Sequence, residues 1–280
     1  MYKNSTKKSG VISPELVQEV RCWVEKNGLK FTNTRFHVAQ KRLEQWCTDG
    51  LIPSHEELWN IAELLDLCEI YTNLSSDQIT EPVFRDILAG SDYLKDEKKT
   101  RARDYFFECK VASRLKRAGF KLIDSKAHDV VTTKGGETYG AECKRAKSIK
   151  KLIENFDKAY GQLQPLESRK DNGMIFIDLS KMLYHEFIDN VDKPFLDPEL
   201  FTKFRQEFDF LVKDELERVN LKKLHNIKIC VVHFAFPGLI ENYGLVKVSH
   251  FVSYYAKSDA NTKEILNALH TSVGTNITKH

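Results

Sequence analysis

The chain has 280 residues, 41% hydrophobic and 30% charged, with a formal net charge of +3 and only 7 prolines and 13 glycines. That composition excludes a disordered, collagen-like or low-complexity chain. The length allows one large domain or two ordinary ones, with a core that needs no disulfide or metal to close it. The longest apolar run, residues 229–236 with His233 inside it, is far shorter than the roughly 20 residues that span a bilayer. The basic start runs into Pro14, Glu15 and Glu19, where a signal peptide needs apolar residues, so a cytoplasmic location is expected. Cys22, Cys47, Cys68, Cys109, Cys143 and Cys230 are scattered without a CxxC pair, which suggests neither a zinc ribbon nor a disulfide framework.

Positive charge is concentrated in the middle: residues 94–151 hold 17 Lys and Arg against 8 Asp and Glu. Such an excess is what a surface meeting a polyanion such as nucleic acid requires, a solvated basic helix face being the plain alternative.

In chain order, the first ninety residues read as helical. Residues 14–26, 33–48, 54–67 and 77–88 place apolar side chains at three and four spacing, with Ser13, Asn33 or Thr34, Ser54, and Ser76 or Asp77 as caps. They predict an N-terminal all-helical domain over residues 1–95, closing on a polar, charged linker at 90–100. Residues 101–118 form the next helix, stopped by Gly119. Short β-branched or aromatic runs follow at 120–123 and 129–133, then a turn at Lys134, Gly135 and Gly136, then a strand at 138–144. Helix returns over 149–166 and a buried strand over 174–179. A long helix then opens at Asp197 and Pro198, strands follow at 227–236 and 244–255, and a short helix at 261–269 closes the pattern. Residues 96–280 are therefore predicted to be α/β, a mixed β-sheet flanked by helices.

The chemistry is concentrated in the strand TYGAECK, whose pleat puts Tyr139, Ala141 and Cys143 on one face and Gly140, Glu142 and Lys144 on the other. A carboxylate and an ammonium side by side on a core strand need a partner or a function. Across the Gly135-Gly136 hairpin, Asp129, preceded by His128, comes beside Glu142. Two acidic oxygens and a main-chain carbonyl, that of Cys143, make a hard-oxygen site suited to magnesium. A lysine beside it can hold or deprotonate the water that attacks a phosphodiester. The other acid-x-Lys pairs, Asp96 with Lys98, Glu97 with Lys99 and Asp124 with Lys126, fall in polar linker or turn sequence. The competing reading of Glu142 and Lys144 is an exposed ion pair on an edge strand, worth about 0.2–1 kcal/mol.

On these residues, the segment from 101 to 179 resembles the PD-(D/E)xK nuclease superfamily, the restriction-endonuclease-like fold, and is most similar to its helix-first members such as archaeal Holliday-junction resolvases. The resemblance implies that Asp129 and Glu142 hold a Mg²⁺ or Mn²⁺ ion, that Lys144 is the catalytic lysine, and that Glu108, in DYFFECK, completes the metal site. Gln162, in KAYGQLQ, is similar to a glutamine found in several branches, and the proline usually preceding the Asp is replaced here by His128. Lys147, Lys150 and Lys151, just past the acidic strand, are expected to contact backbone phosphates, with His128 as a further contact. The expected function is an Mg-dependent endonuclease acting on DNA. The rivals are a non-catalytic nucleic-acid-binding protein that kept the fold, and an RNA-directed nuclease or toxin. A homodimer, or a protein partner held by the N-terminal helices, is compatible with this reading.

Overall fold

A computed structural model describes residues 14–74, 79, 81–90, 101–164, 172–189, 198–218, 227–240, 244–254 and 262–266 of the chain. Four helices come first, α1 (Pro14–Lys26), α2 (Arg35–Asp49), α3 (His55–Asn73) and α4 (Glu81–Leu88). Thr34 caps α2 by accepting the His37 amide, and Ser54 opens α3 in a reciprocal capping box with Glu57. α3 continues past its expected end at Leu67 because Cys68, Ile70 and Tyr71 extend the apolar pattern and no glycine or proline interrupts it. It is buried on nearly every side between Leu58 and Ile70, the condition of a helix inside a core. α4 begins at Glu81 rather than near 77, with Pro82 in its first turn, where a missing N–H costs nothing. The caps expected at Ser13, Ser76, Asp77 and Asp197 lie outside the described residues, as do residues 91–100 of the expected linker.

The core of these helices continues onto Phe106 of α5 (Arg101–Arg117). After α5 come β1 (Lys121–Ile123), β2 (Val130–Lys134) and β3 (Glu137–Arg145), then α6 (Lys150–Leu163) and β4 (Asn172–Asp178). They are followed by α7 (Ser180–Asp189), α8 (Pro198–Arg218), β5 (Ile227–Ile240) and β6 (Gly244–Tyr254). Residues 262–266 form a last helical turn. The six strands make one sheet in chain order. β3 to β5 run parallel and the outer pairs antiparallel, which is the mixed sheet between helices that the pattern predicts.

Gly135 and Gly136, at φ 61° and 83°, form the two-residue turn between β2 and β3, a conformation that strains any residue with a Cβ. On one face of the sheet Phe107, Val111 and Leu115 of α5 pack on Tyr139, Ala141, Cys143 and Met174. On the other, Leu152 and Phe156 of α6, Leu183 of α7 and Phe208 of α8 pack on Ile175, Ile177 and Val232. The helix α7 is not among the predicted elements. The Asp178 carboxylate accepts the Ser180 amide at 3.0 Å and starts it, and Leu179 and Leu183 turn inward four residues apart. β5 runs four residues beyond its expected end at Phe236, through Pro237. Past His233 it pairs with β6 alone, and a proline is tolerated beside an open edge.

Candidate functional site

The antiparallel register sets Val130 opposite Ala141, so one step further the turn residue Asp129 stands opposite Glu142. Lys144, two residues along β3 and on the same side, donates to both carboxylates, to Asp129 Oδ2 at 3.2 Å and Glu142 Oε2 at 2.9 Å. The Cys143 amide donates to the same Asp129 oxygen at 2.8 Å, and His128 Nδ1 meets Glu142 Oε1 at 3.0 Å. Each acid is therefore held by a main-chain or imidazole group as well as by the ammonium, which removes the freedom a surface ion pair keeps. β3 lies between β2 and β4 and Glu142 is 1% exposed, so the exposed edge-strand pair is not what the sequence encodes here. The accessible members are Asp129 and Lys144, with side chains 23% and 18% exposed.

Glu108, on α5, is mostly buried. Burial pushes its carboxyl up to about 8, and Asp129 adds to the rise while Lys144 opposes it. Burial also opposes the charge on Lys144, but Glu142 and Asp129 outweigh it and hold the ammonium above the ordinary lysine value. Lys144 is thus a fixed positive charge in this arrangement rather than a proton acceptor. The Cys143 thiol is pushed well above its usual range by burial and by Asp129, which leaves it a packed apolar group.

The structure brings Asp129, Glu142 and Lys144 into contact, with Glu108 within electrostatic range. His128 is 5% exposed and turned onto Glu142, a placement that orients the carboxylate. Gln162 lies on the exposed face of α6 with no contact to these groups among the described residues. Lys147, Lys150 and Lys151 are exposed at the start of α6, and Lys151 pairs with Glu154 one turn on. Among the described residues no three His, Cys, Asp or Glu side chains are gathered closely enough to hold a metal ion together. Lys144 supplies the positive charge between the two acids.

A second charged centre was not visible in the motif. Glu63 and Asp66, one turn apart on α3, are buried within an apolar helix. Glu63 accepts from Arg35 at 2.7 Å and Arg103 at 2.6 Å. Asp66 takes Lys110 at 2.8 Å on one oxygen and Lys247 on the other. Arg145, next to Lys144, reaches Asp178 and Asp104 at 3.5 Å. Three side chains of the basic segment therefore point inward, Arg103, Lys110 and Arg114 being at least nine-tenths buried, while Lys147, Lys150 and Lys151 among others stay exposed. The readable signal was the acids themselves, since a charge on a helix that is apolar all round must find a buried partner. Comparison of the chain with family models, with curated proteins and with solved structures returned no match.

Proposed function

We propose that the protein is a metal-dependent nuclease that hydrolyses phosphodiester bonds in DNA, using Mg²⁺ or Mn²⁺. The observation carrying this reading is the single Lys144 ammonium bridging Asp129 and Glu142 within the sheet, 3.2 and 2.9 Å away, with a third acid, Glu108, held nearby on α5. The chemistry of the donors suits such an ion, although three of them are not gathered around one point. Asp129, Glu142 and Glu108 offer hard oxygens, and magnesium takes few protein ligands because it retains several of its waters. The first two acids outnumber Lys144 by one charge, so the centre favours a further cation. Those three carboxyls, with the Cys143 carbonyl on the same strand, would hold it. When bound, the ion lowers the pKa of a water and neutralises charge gathering on the phosphoryl group.

The chain's own residues divide the remaining work. His128 fixes Glu142 through Oε1, and the Cys143 amide fixes Asp129 through Oδ2, so the carboxylates are set before substrate arrives. Lys144, at the accessible rim, holds the attacking water or donates to a non-bridging phosphate oxygen. The exposed Lys147, Lys150 and Lys151 meet phosphates along the backbone and set register without reading sequence.

The test is incubation of the full chain with end-labelled single-stranded, double-stranded and branched DNA and with RNA, in Mg²⁺, Mn²⁺ or EDTA. Cleavage of DNA that needs the ion and disappears in Asp129→Asn is expected. Undiminished cutting in chelator removes the metal from the reading, and cutting of RNA alone moves the substrate. Binding without cleavage of any substrate would assign a nucleic-acid-binding protein instead.

A further inference from the structure

The charged centre beside α3 is short of negative charge. Lys110 and Lys247, with side chains 11% and 8% exposed, share the two oxygens of Asp66. Arg114, 9% exposed, lies within electrostatic reach of the same carboxylate. Among the described residues these three cations share Asp66, and Lys110 is also within electrostatic reach of Asp178. The Nε of Arg114 is buried with no hydrogen-bond partner among the described residues, and a buried guanidinium is among the costliest groups to leave unmatched. Arg35 and Arg103 are matched by Glu63, and Arg145 by Asp178 and Asp104, so the excess rests with Lys110, Lys247 and Arg114.

Arg103, Lys110, Arg145 and Lys247 line a cleft of ≈ 40 Å³ together with the carboxylates of Glu63, Asp66 and Asp178 and the Ser180 hydroxyl, so its cations outnumber its acids by one. It lies at the carboxyl ends of the parallel strands, where Arg145 and Asp178 are register partners on β3 and β4, the place where open α/β sheets ordinarily admit ligands. The space equals about three waters. That is enough for a tetrahedral oxyanion and too little for a nucleobase.

We infer that this cleft binds a phosphoryl group, held by Lys110 and Lys247 with Arg103 and Arg145 at its walls and Arg114 adding charge behind. The ligand is a dianion of phosphate size, arriving as the free ion or as the terminal phosphate of a nucleotide or strand. Lys247 bears the strain of the missing charge: burial pushes its ammonium down to about 7, Asp66 opposes the fall, and Lys110 and Arg114 deepen it. A bound dianion would reverse that push. The inference does not depend on whether the acidic centre on β3 cleaves anything.

The test is calorimetric titration of the full chain in EDTA, which silences any ion-dependent site. The ligands are inorganic phosphate, a nucleoside 5′-monophosphate, and a short oligonucleotide carrying either a 5′-phosphate or a 5′-hydroxyl. Saturable binding of phosphate identifies a site for the free ion. Binding of the phosphorylated oligonucleotide in preference to the hydroxyl-ended one identifies a strand end. Lys247→Met should weaken either by roughly tenfold or more, whereas Lys203→Ala, on a side chain 71% exposed, should leave it unchanged. Should Lys247→Met not fold, the wild-type melting temperature must still climb with the logarithm of phosphate concentration and not with chloride at matched ionic strength. No saturable binding of any of these ligands, equal affinity in Lys247→Met, or a melting temperature indifferent to phosphate would each overturn the inference.

Discussion

Replacing Glu63 by glutamine retains its size and one hydrogen-bonding oxygen and removes a single charge from between two arginines. Arg35 and Arg103, 0% and 2% exposed, donate to it at 2.7 and 2.6 Å. Burial alone would raise the Glu63 carboxyl, but Arg103 and Arg35 outweigh it and hold the group down to about 2. Against an ordinary glutamate near pH 4.3, a gap of about two pH units corresponds to ~3 kcal/mol of stability at neutral pH. Mutational precedent for breaking a buried pair gives about 3–5 kcal/mol. The lower end applies here, because Arg35 also donates to the Ile87 carbonyl and Trp59 to Glu63 Oε1. Since the folded value lies below the unfolded one, the stabilisation is complete above about pH 5 and is lost as pH falls toward 2. Urea unfolding of wild type and Glu63→Gln at pH 7 should therefore differ by about 3 kcal/mol, and the two stabilities should converge as pH falls from about 5 toward 2. Equal midpoints at pH 7, or a difference that pH does not change, would refute the assignment of that charge.

Three further perturbations reach the other centres. Asp129→Asn, Glu142→Gln and Lys144→Met should each abolish cleavage while near-wild-type DNA affinity persists, and a single-turnover assay showing wild-type cutting would remove that residue from the site. Without Lys144 two close carboxylates lose the cation between them, so Mn²⁺ should raise the melting temperature of Lys144→Met more than that of wild type. An equal rise would place the ion elsewhere. Neutralising Lys147, Lys150 and Lys151 together should flatten the salt dependence of DNA binding by roughly one unit of slope for each phosphate no longer neutralised, with no change expected in melting temperature. Among the thiols, exposed Cys47 should react with a disulfide reagent in the native state. Cys68 and Cys230, which burial pushes up to about 12, should react only on unfolding, as counted by mass spectrometry.

What was legible in the sequence was whatever a short-range pattern decides. Two adjacent glycines define the turn, the turn defines the register, and the register sets Asp129 opposite Glu142 with Lys144 on the same side. The helix α7 escaped because its signal is one capping aspartate and two inward leucines in a ten-residue stretch, too little to separate from a loop by period alone. Net charge is informative only in part. A count over residues 94–151 gives the excess but not its direction, and Arg103, Phe107, Lys110 and Arg114 fall at four, three and four spacing on one stripe of α5. That stripe turns inward, because Glu63 and Asp66 wait on α3. His128 reads as a turn residue open to phosphate, and only the folded hairpin shows its ring against Glu142.

The two charged centres are built on shared elements, and that sharing constrains how either can work. On β3, Lys144 serves the acidic centre and its neighbour Arg145 the cationic one. On α5, Glu108 faces the acids electrostatically while Lys110 pairs with Asp66. Neither strand nor helix can shift by a residue without breaking both arrangements, because a one-residue slip on a strand exchanges its faces. Their charge deficits are complementary. Asp129 and Glu142 outnumber Lys144 and call for a cation, whereas Lys110, Lys247 and Arg114 outnumber Asp66 and call for an anion. Solvent reaches Asp129 and Lys144 but little of Lys110, Lys247 and Asp66, so the cationic centre gains more than the acidic one when its missing charge arrives with a ligand. On the two readings proposed above, a phosphate ester accompanied by a divalent cation would deliver both charges together, and the sharing of one strand and one helix is what would couple the two sites.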